Sequence, residues 1–351
     1  MKNSFYFLVV LMGLTTLAGC SSSGEKDTDT KDTPQVEEQA TKEGDEDKTE
    51  ATSEASGSSD SLAQSDEKLL AYVDCINGHS NRALSSYDRY LSWANEATGP
   101  TGAEKNIYGL YTLTGATTKC VAGIKASNAL KPSYPALEQA AGSYSTALTK
   151  LEPLLEEANE YYTEQNYKDD AMAKGKELHP KLMEAFKAFE AADGTLRTEL
   201  EKIQDELDVK RLTELEKTEG KKYAYLSTNS MIMAKKVINL GNVADLKEIK
   251  VDELQKATEA FEKAVDELKA YDKAHKSELG VGVSIDSFIR GAGDLVTAAK
   301  ELTRRVRDNT PYDTGELMTL GGPGGWMVNG SPDKLLNVYN SLVQTSNGLR
   351  F

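Results

Sequence analysis

The feature that most limits what this chain can become is an apolar stripe that returns every three or four residues, segment after segment, from about residue 66 onward. That period places the apolar residues on one face of an α-helix, whereas a half-buried strand needs strict alternation, which the sequence scarcely shows. Val73, Ile76, Leu84, Tyr87, Leu91 and Ala94 predict a helix over about 66–97, stopped by Thr98-Gly99-Pro100-Thr101-Gly102. Ile107, Leu110, Leu113, Val121 and Ile124 predict a second helix opening near Glu104 and returning antiparallel to the first. Further stripes predict helices over about 135–165, 171–209 (with Pro180 and Gly194 as points of kinking), 212–240, 254–271 and 284–307, and a last one from about 332. The expectation is an all-α protein, one or more antiparallel bundles of about seven to eight helices over 66–351, divisible into halves at about 66–210 and 211–351. Leu137, Tyr144, Ala147 and Leu151 align with Leu254, Phe261, Ala264 and Leu268 at a constant offset of 117, as either a duplication or any two amphipathic helices would.

The N-terminus has a different logic. One early lysine, Lys2, precedes an apolar run from Phe5 that ends in Leu17-Ala18-Gly19-Cys20, the pattern of a secretory signal over 1–19 and too short to span a bilayer as a mature helix. Leu-Ala-Gly-Cys resembles the lipobox of bacterial lipoproteins. The resemblance implies that Cys20 is acylated and becomes the mature N-terminus, so that a lipid membrane is the first partner, each buried methylene contributing about 0.8 kcal/mol. Ser21 rather than aspartate follows it, which by the same analogy sends the protein to the outer membrane of a diderm cell envelope.

Residues 20–65 then read as a disordered acidic linker, rich in Ser, Thr, Asp and Glu and too poor in aliphatic residues to bury a core. Of the formal charge of −15, −9 lies in 21–65 and +1 on Lys2, leaving −7 over 66–351. A coil of this length spans on the order of 40 Å and at full extension roughly 150 Å. Negative charge in both parts excludes nucleic acid as a partner, because no basic stripe offsets phosphate repulsion.

Cys75 and Cys120 stand at similar distances on either side of Pro100, so the predicted hairpin sets them at matching heights. With Cys20 taken by lipid in an oxidising compartment, an even pair remains, either bridged or present as two buried thiols, and the bridge is the favoured reading.

Chemistry is sparse. Tyr167, Asp169, Asp170, Lys174 and His179 gather ionisable groups at a helix start, where two adjacent carboxylates could ligate a cation or share a proton. The stronger reading is that an aspartate caps the helix and His179 is packed. The three histidines, His79, His179 and His275, fall in no metal-ligand motif, and no nucleophile elbow or P-loop occurs, so no catalytic set, metal or cofactor is expected. The run 321–326 could cradle a phosphate but reads better as a loop. Trp93, Tyr111, Tyr134, Tyr161, Tyr162 and Trp326 could stack on envelope sugars or simply line a core.

Several segments together resemble the YiiG-like bacterial lipoproteins: Gly99-Pro100-Thr101-Gly102-Ala103-Glu104 with Tyr108-Gly109, Tyr161-Tyr162 through Asp170, Ala173 through His179, and Tyr339-Asn340 with Leu342-Val343 and Asn347. The resemblance implies a helical body behind a lipoprotein signal and supplies no activity. The expected function is therefore a tethered, non-catalytic module that binds an envelope protein or peptidoglycan. The alternative is a ligand- or cation-binding protein, or an enzyme, using Tyr167, Asp169 and Asp170.

Overall fold

The computed structural model describes residues 50–349 and 351, apart from 114, 116, 244, 280–283 and 323. The signal segment, Cys20 and the linker as far as residue 49 lie outside the described residues. Among the described residues there are nine α-helices and no strand. They are α1 (Glu50–Leu91), α2 (Thr117–Asn128), α3 (Pro135–Thr163), α4 (Ala173–Thr218), α5 (Tyr223–Gly241), α6 (Val251–His275), α7 (Asp286–Arg307), α8 (Thr314–Thr319) and α9 (Pro332–Asn347). None is long and apolar enough to cross a membrane.

Polar pairs fix the directions of the first four helices. Lys68 reaches Leu130, Tyr72 reaches Asn128 and Cys75 is bonded to Cys120, so α2 descends as α1 rises. Tyr90 meets His179, Ser80 meets Asp193 and Asp66 meets Arg211, so α4 also runs against α1. Ser65 with Tyr134 and Ser80 with Tyr144 set α3 parallel to α1. The result is an up-down-up-down four-helix bundle whose core includes Leu69, Tyr72, Tyr144, Leu148, Phe186 and Phe189, all wholly buried. Each such side chain contributes about 1.5–3 kcal/mol relative to exposure.

The second bundle repeats the arrangement with α5, α6, α7 and α9. Tyr223 with Asp272, Glu262 with Lys300, and Glu301 with Lys334 make each neighbouring pair antiparallel. Its core is separate, built around Phe261, Leu268, Phe288, Leu295, Leu302 and Leu342. The two aligned sets of residues occupy equivalent settings, buried on α3 in one core and on α6 in the other. The bundles meet along α4 and α5, where Lys235 pairs with Asp205 at 2.7 Å and approaches Asp208 at 3.8 Å.

Three boundaries differ from the sequence reading. The first helix starts at Glu50 rather than near residue 66, and its upstream turns are fastened: Leu62 is buried, and Ser65 is buried with its hydroxyl 2.9 Å from the Tyr134 hydroxyl. The predicted helix from Glu104 is instead an extended strap over 104–113, and α2 begins only at Thr117. The strap's carbonyls are taken by arginines of α1, Thr112 by Arg82 and Gly109 by Arg89, in place of a helical ladder. Finally, α4 runs unbroken through the expected division at 210 to Thr218, and the chain turns at Gly220, whose φ of +77° suits glycine.

Candidate functional site

The turn between α3 and α4, residues 164–172, is where the backbone departs most from ease. Gln165, Ala171 and Met172 have φ of 62°, 52° and 68°, three of the four non-glycine residues in this region among the described residues. Each costs of order 1–3 kcal/mol and persists only where surroundings enforce it. Asp170 is one such enforcer. Its carboxylate accepts from the Lys174 and Ala173 N–H groups at 3.0 and 3.2 Å and from the Tyr161 hydroxyl at 2.7 Å. These donors, the Lys174 N–H foremost, hold the Asp170 carboxyl below its usual range. The residue satisfies the free amides at the start of α4, as capping requires. Met172 is fully buried, and a Cβ on Gly175 would stand 2.5 Å from its sulfur, so the turn collapses onto the helix only because that position is glycine.

The five residues singled out from sequence therefore separate. Asp170 caps, and Asp169 is exposed at the end of the single turn Asn166–Lys168. Lys174 pairs with Glu157 of α3 at 3.0 Å, both about half exposed, a contact worth little. His179 is buried against Tyr90 and the loop after α1. The Glu96 carbonyl can only accept, so His179 Nε2 donates to it at 3.1 Å and Nδ1 accepts from the Tyr90 hydroxyl at 2.9 Å. Burial pushes the Tyr90 phenol up to about 12. The His179 ring also lies 2.8 Å from where a Gly99 Cβ would be, and Gly99 has φ +75°. We expect Gly99→Ala to lower stability by about 2 kcal/mol, read as a fall in the urea midpoint at unchanged slope. A midpoint equal to that of the unaltered protein would show that His179 yields freely.

Of the five, Tyr167 lines a pocket at this end of the bundle. This pocket, of about 300 Å³, opens between the end of α1, the strap and the end of α3. Tyr108, Tyr111, Tyr162 and Tyr167 supply ring surface, Asn159, Thr163 and Gln165 supply hydrogen-bonding groups, and Arg89 supplies a positive charge. Gly109 closes the strap against α3: a Cβ there would stand 2.1 Å from Thr163 Oγ1 and 2.6 Å from Asn159 Oδ1. Arg89 Nε donates to the Gly109 carbonyl at 2.6 Å and Nη1 to the Tyr111 hydroxyl at 3.3 Å, with the guanidinium 5.0 and 4.9 Å from the ring centroids of Tyr108 and Tyr111. Glu104 pins the base of the strap. Although burial pushes its carboxyl up, the Thr101 and Gly102 N–H groups and the Thr101 hydroxyl outweigh that and hold it below its usual range.

Of the aromatic residues considered for stacking, Tyr111 and Tyr162 come to this pocket, while Trp93 is half-buried edge-on to Tyr90 and Tyr162. Tyr161 caps Asp170 through its hydroxyl, Tyr134 hydrogen-bonds with Ser65, and Trp326 is exposed at the far end of the second bundle's loop. The glycine-rich run does not form an open phosphate cradle. Asp333 accepts from the Gly321 N–H at 2.8 Å and fills the space beside Gly325. Arg89, Asn159 and Gln165 were not legible from sequence, since a lone arginine or amide on a helix flank reads as solvated surface.

A family model described as a protein of unknown function (DUF3829) matches residues 63–348. The uncharacterized protein YiiG of Escherichia coli (strain K12) is 34% identical over 294 residues, which is 83% of this chain and 81% of that relative. No solved structure matches.

Proposed function

The chain belongs to the DUF3829 family of proteins of unknown function, and we propose that it is a lipid-anchored envelope protein whose first bundle binds a small ligand. The observation that carries the binding half is the pocket beneath the strap. It combines exposed tyrosine rings, side-chain amides and a guanidinium over a volume at the small end of the range for ligand sites. The strained turn at 165–172 supports the same reading, because backbone cost held in place by caps and packing concentrates at ligand sites. The cation or catalytic reading at Asp169 and Asp170 has no such support, since the Asp170 oxygens are engaged by the backbone and Tyr161. An envelope protein or peptidoglycan is the partner that location would provide.

The anchoring half rests on Leu17-Ala18-Gly19-Cys20. In cells, Cys20→Ser is expected to leave the precursor uncleaved and to keep it out of the outer-membrane fraction. Normal maturation and equally firm membrane attachment in that variant would refute the anchor, and fractionation of the unaltered chain with inner-membrane markers would refute the destination.

A further inference from the structure

Among the described residues, four of the eight arginines are neutralised by carboxylates. Arg197 holds Asp193, Arg211 holds Asp66 and Asp208, Arg305 holds Glu316, and Arg307 holds Asp308. Arg82 and Arg89 are different. Their polar partners are the carbonyls of Thr112 and Gly109 and the Tyr111 hydroxyl, and both guanidinium groups stand over the Tyr111 ring, at 5.6 and 4.9 Å from its centroid. Carbonyls and ring faces orient a guanidinium without cancelling its charge. On a chain with 56 Asp and Glu against 41 Lys and Arg, two such groups are brought to one strap, one of them lining the pocket. No acidic residue is among the lining residues.

The remaining walls say what kind of anion fits. Tyr108 and Tyr111 are 43% and 39% exposed, large rings left facing solvent beside the cavity. A flat apolar face is their natural complement. Asn159 accepts from Thr163 through Oδ1, which leaves its amide N–H groups for hydroxyl or carbonyl oxygens of a ligand. An Arg–carboxylate contact is the strong, oriented member of the set. A pyranose bearing a carboxylate offers all of these features in one ring.

Resting on the binding reading above, we propose that this pocket takes a carboxylate-bearing sugar, with the acid on Arg89, the ring on a tyrosine face and its hydroxyls on the amide side chains. Arg82 adds a second, more distant positive charge.

The test uses the detergent-solubilised full chain and titration calorimetry with two matched pairs, glucuronic acid against glucose and N-acetylmuramic acid against N-acetylglucosamine, with inorganic phosphate as a fifth probe. At low salt the acid of at least one pair is expected to bind on the order of tenfold tighter than its neutral counterpart, with the margin shrinking as salt rises. Arg89→Gln should abolish the margin. Arg82→Gln, at an exposed position, should reduce it less and guards against misfolding of the first variant; circular dichroism confirms that both remain helical. Equal affinity for acid and neutral sugars would overturn the proposal while leaving the binding reading intact. Acid binding unchanged in both Arg89→Gln and Tyr111→Ala would place the site elsewhere and overturn it. Phosphate binding as tightly as the sugar acid would remove the sugar. No binding of any probe at millimolar concentration would overturn the proposal together with the pocket as a small-ligand site.

Discussion

Arg211→Leu is expected to lower stability by about 3–5 kcal/mol, the cost of leaving buried carboxylates without their cation. The Arg211 side chain is 4% exposed and those of Asp66 and Asp208 are 15% and 9% exposed. Its Nη2 donates to both oxygens of Asp66 at 2.7 and 3.0 Å, tying α1 to α4, and Nη1 donates to Asp208 at 2.9 Å. Burial raises both carboxyls above their ordinary 3.8 even with the arginine in place, and Lys235 and Arg211 pull Asp208 back down while Asp205 and Asp66 push it up. A carboxyl whose folded value is raised favours the fold below its unfolded value, and that contribution disappears as pH rises through the folded value. Removing Arg211 raises both further, so the variant should be weakest near neutrality and partly recover toward about pH 4. Urea midpoints of variant and unaltered protein at the two pH values measure this; an equal loss at both would show that the arginine acts by packing rather than by charge.

Reduction of Cys75–Cys120, or replacement of both by serine, is expected to cost about 4 kcal/mol on the chain-entropy estimate for a loop of this size. The bond closes a separation of 45 residues that contains the whole strap. It joins α1 to α2, a helix of only 12 residues whose own tendency to persist is slight. The loss should therefore fall first on α2 and the strap, before the α3–α4 pair. Hydrogen exchange on the oxidised and reduced protein reads it: protection lost evenly across the first bundle, or not at all, would contradict this account.

The helical class was legible because burial is one-sided in most of these helices, as in α6, where Leu254, Phe261, Val265 and Leu268 repeat with helical spacing and are all buried. The bridge was legible because the two cysteines flank a proline turn at comparable distances. The strap was not. Ile107, Leu110 and Leu113 fall three apart and imitate a helix, but the segment's carbonyls go to Arg82 and Arg89 and its backbone touches α3 at Gly109, arrangements that involve residues 20 or more positions away. The end of α4 was misplaced for a related reason: the apolar stripe lapses at Lys210 and Arg211, whereas Arg211 is buried against Asp208 and Asp66. At the site, Tyr167 and the capping role of Asp170 were within reach of sequence, since acidic residues before a helix suit its free amides. Arg89 was not, because the groups that hold it, the Gly109 carbonyl and the Tyr111 hydroxyl, lie 20 and 22 positions further along the chain.

The 42 residues of α1 measure roughly 60 Å end to end, and they give the first bundle a head and a foot. The chain enters at the foot, below Lys68 and its Glu138 partner, while Arg89 and the opening under the strap sit at the head. With Cys20 held in the bilayer as proposed, captured molecules would be met on the side remote from the mooring, at a height to which the acidic cord and the length of α1 both contribute. Trimming that cord should leave affinity untouched and shorten the distance over which the open end can search.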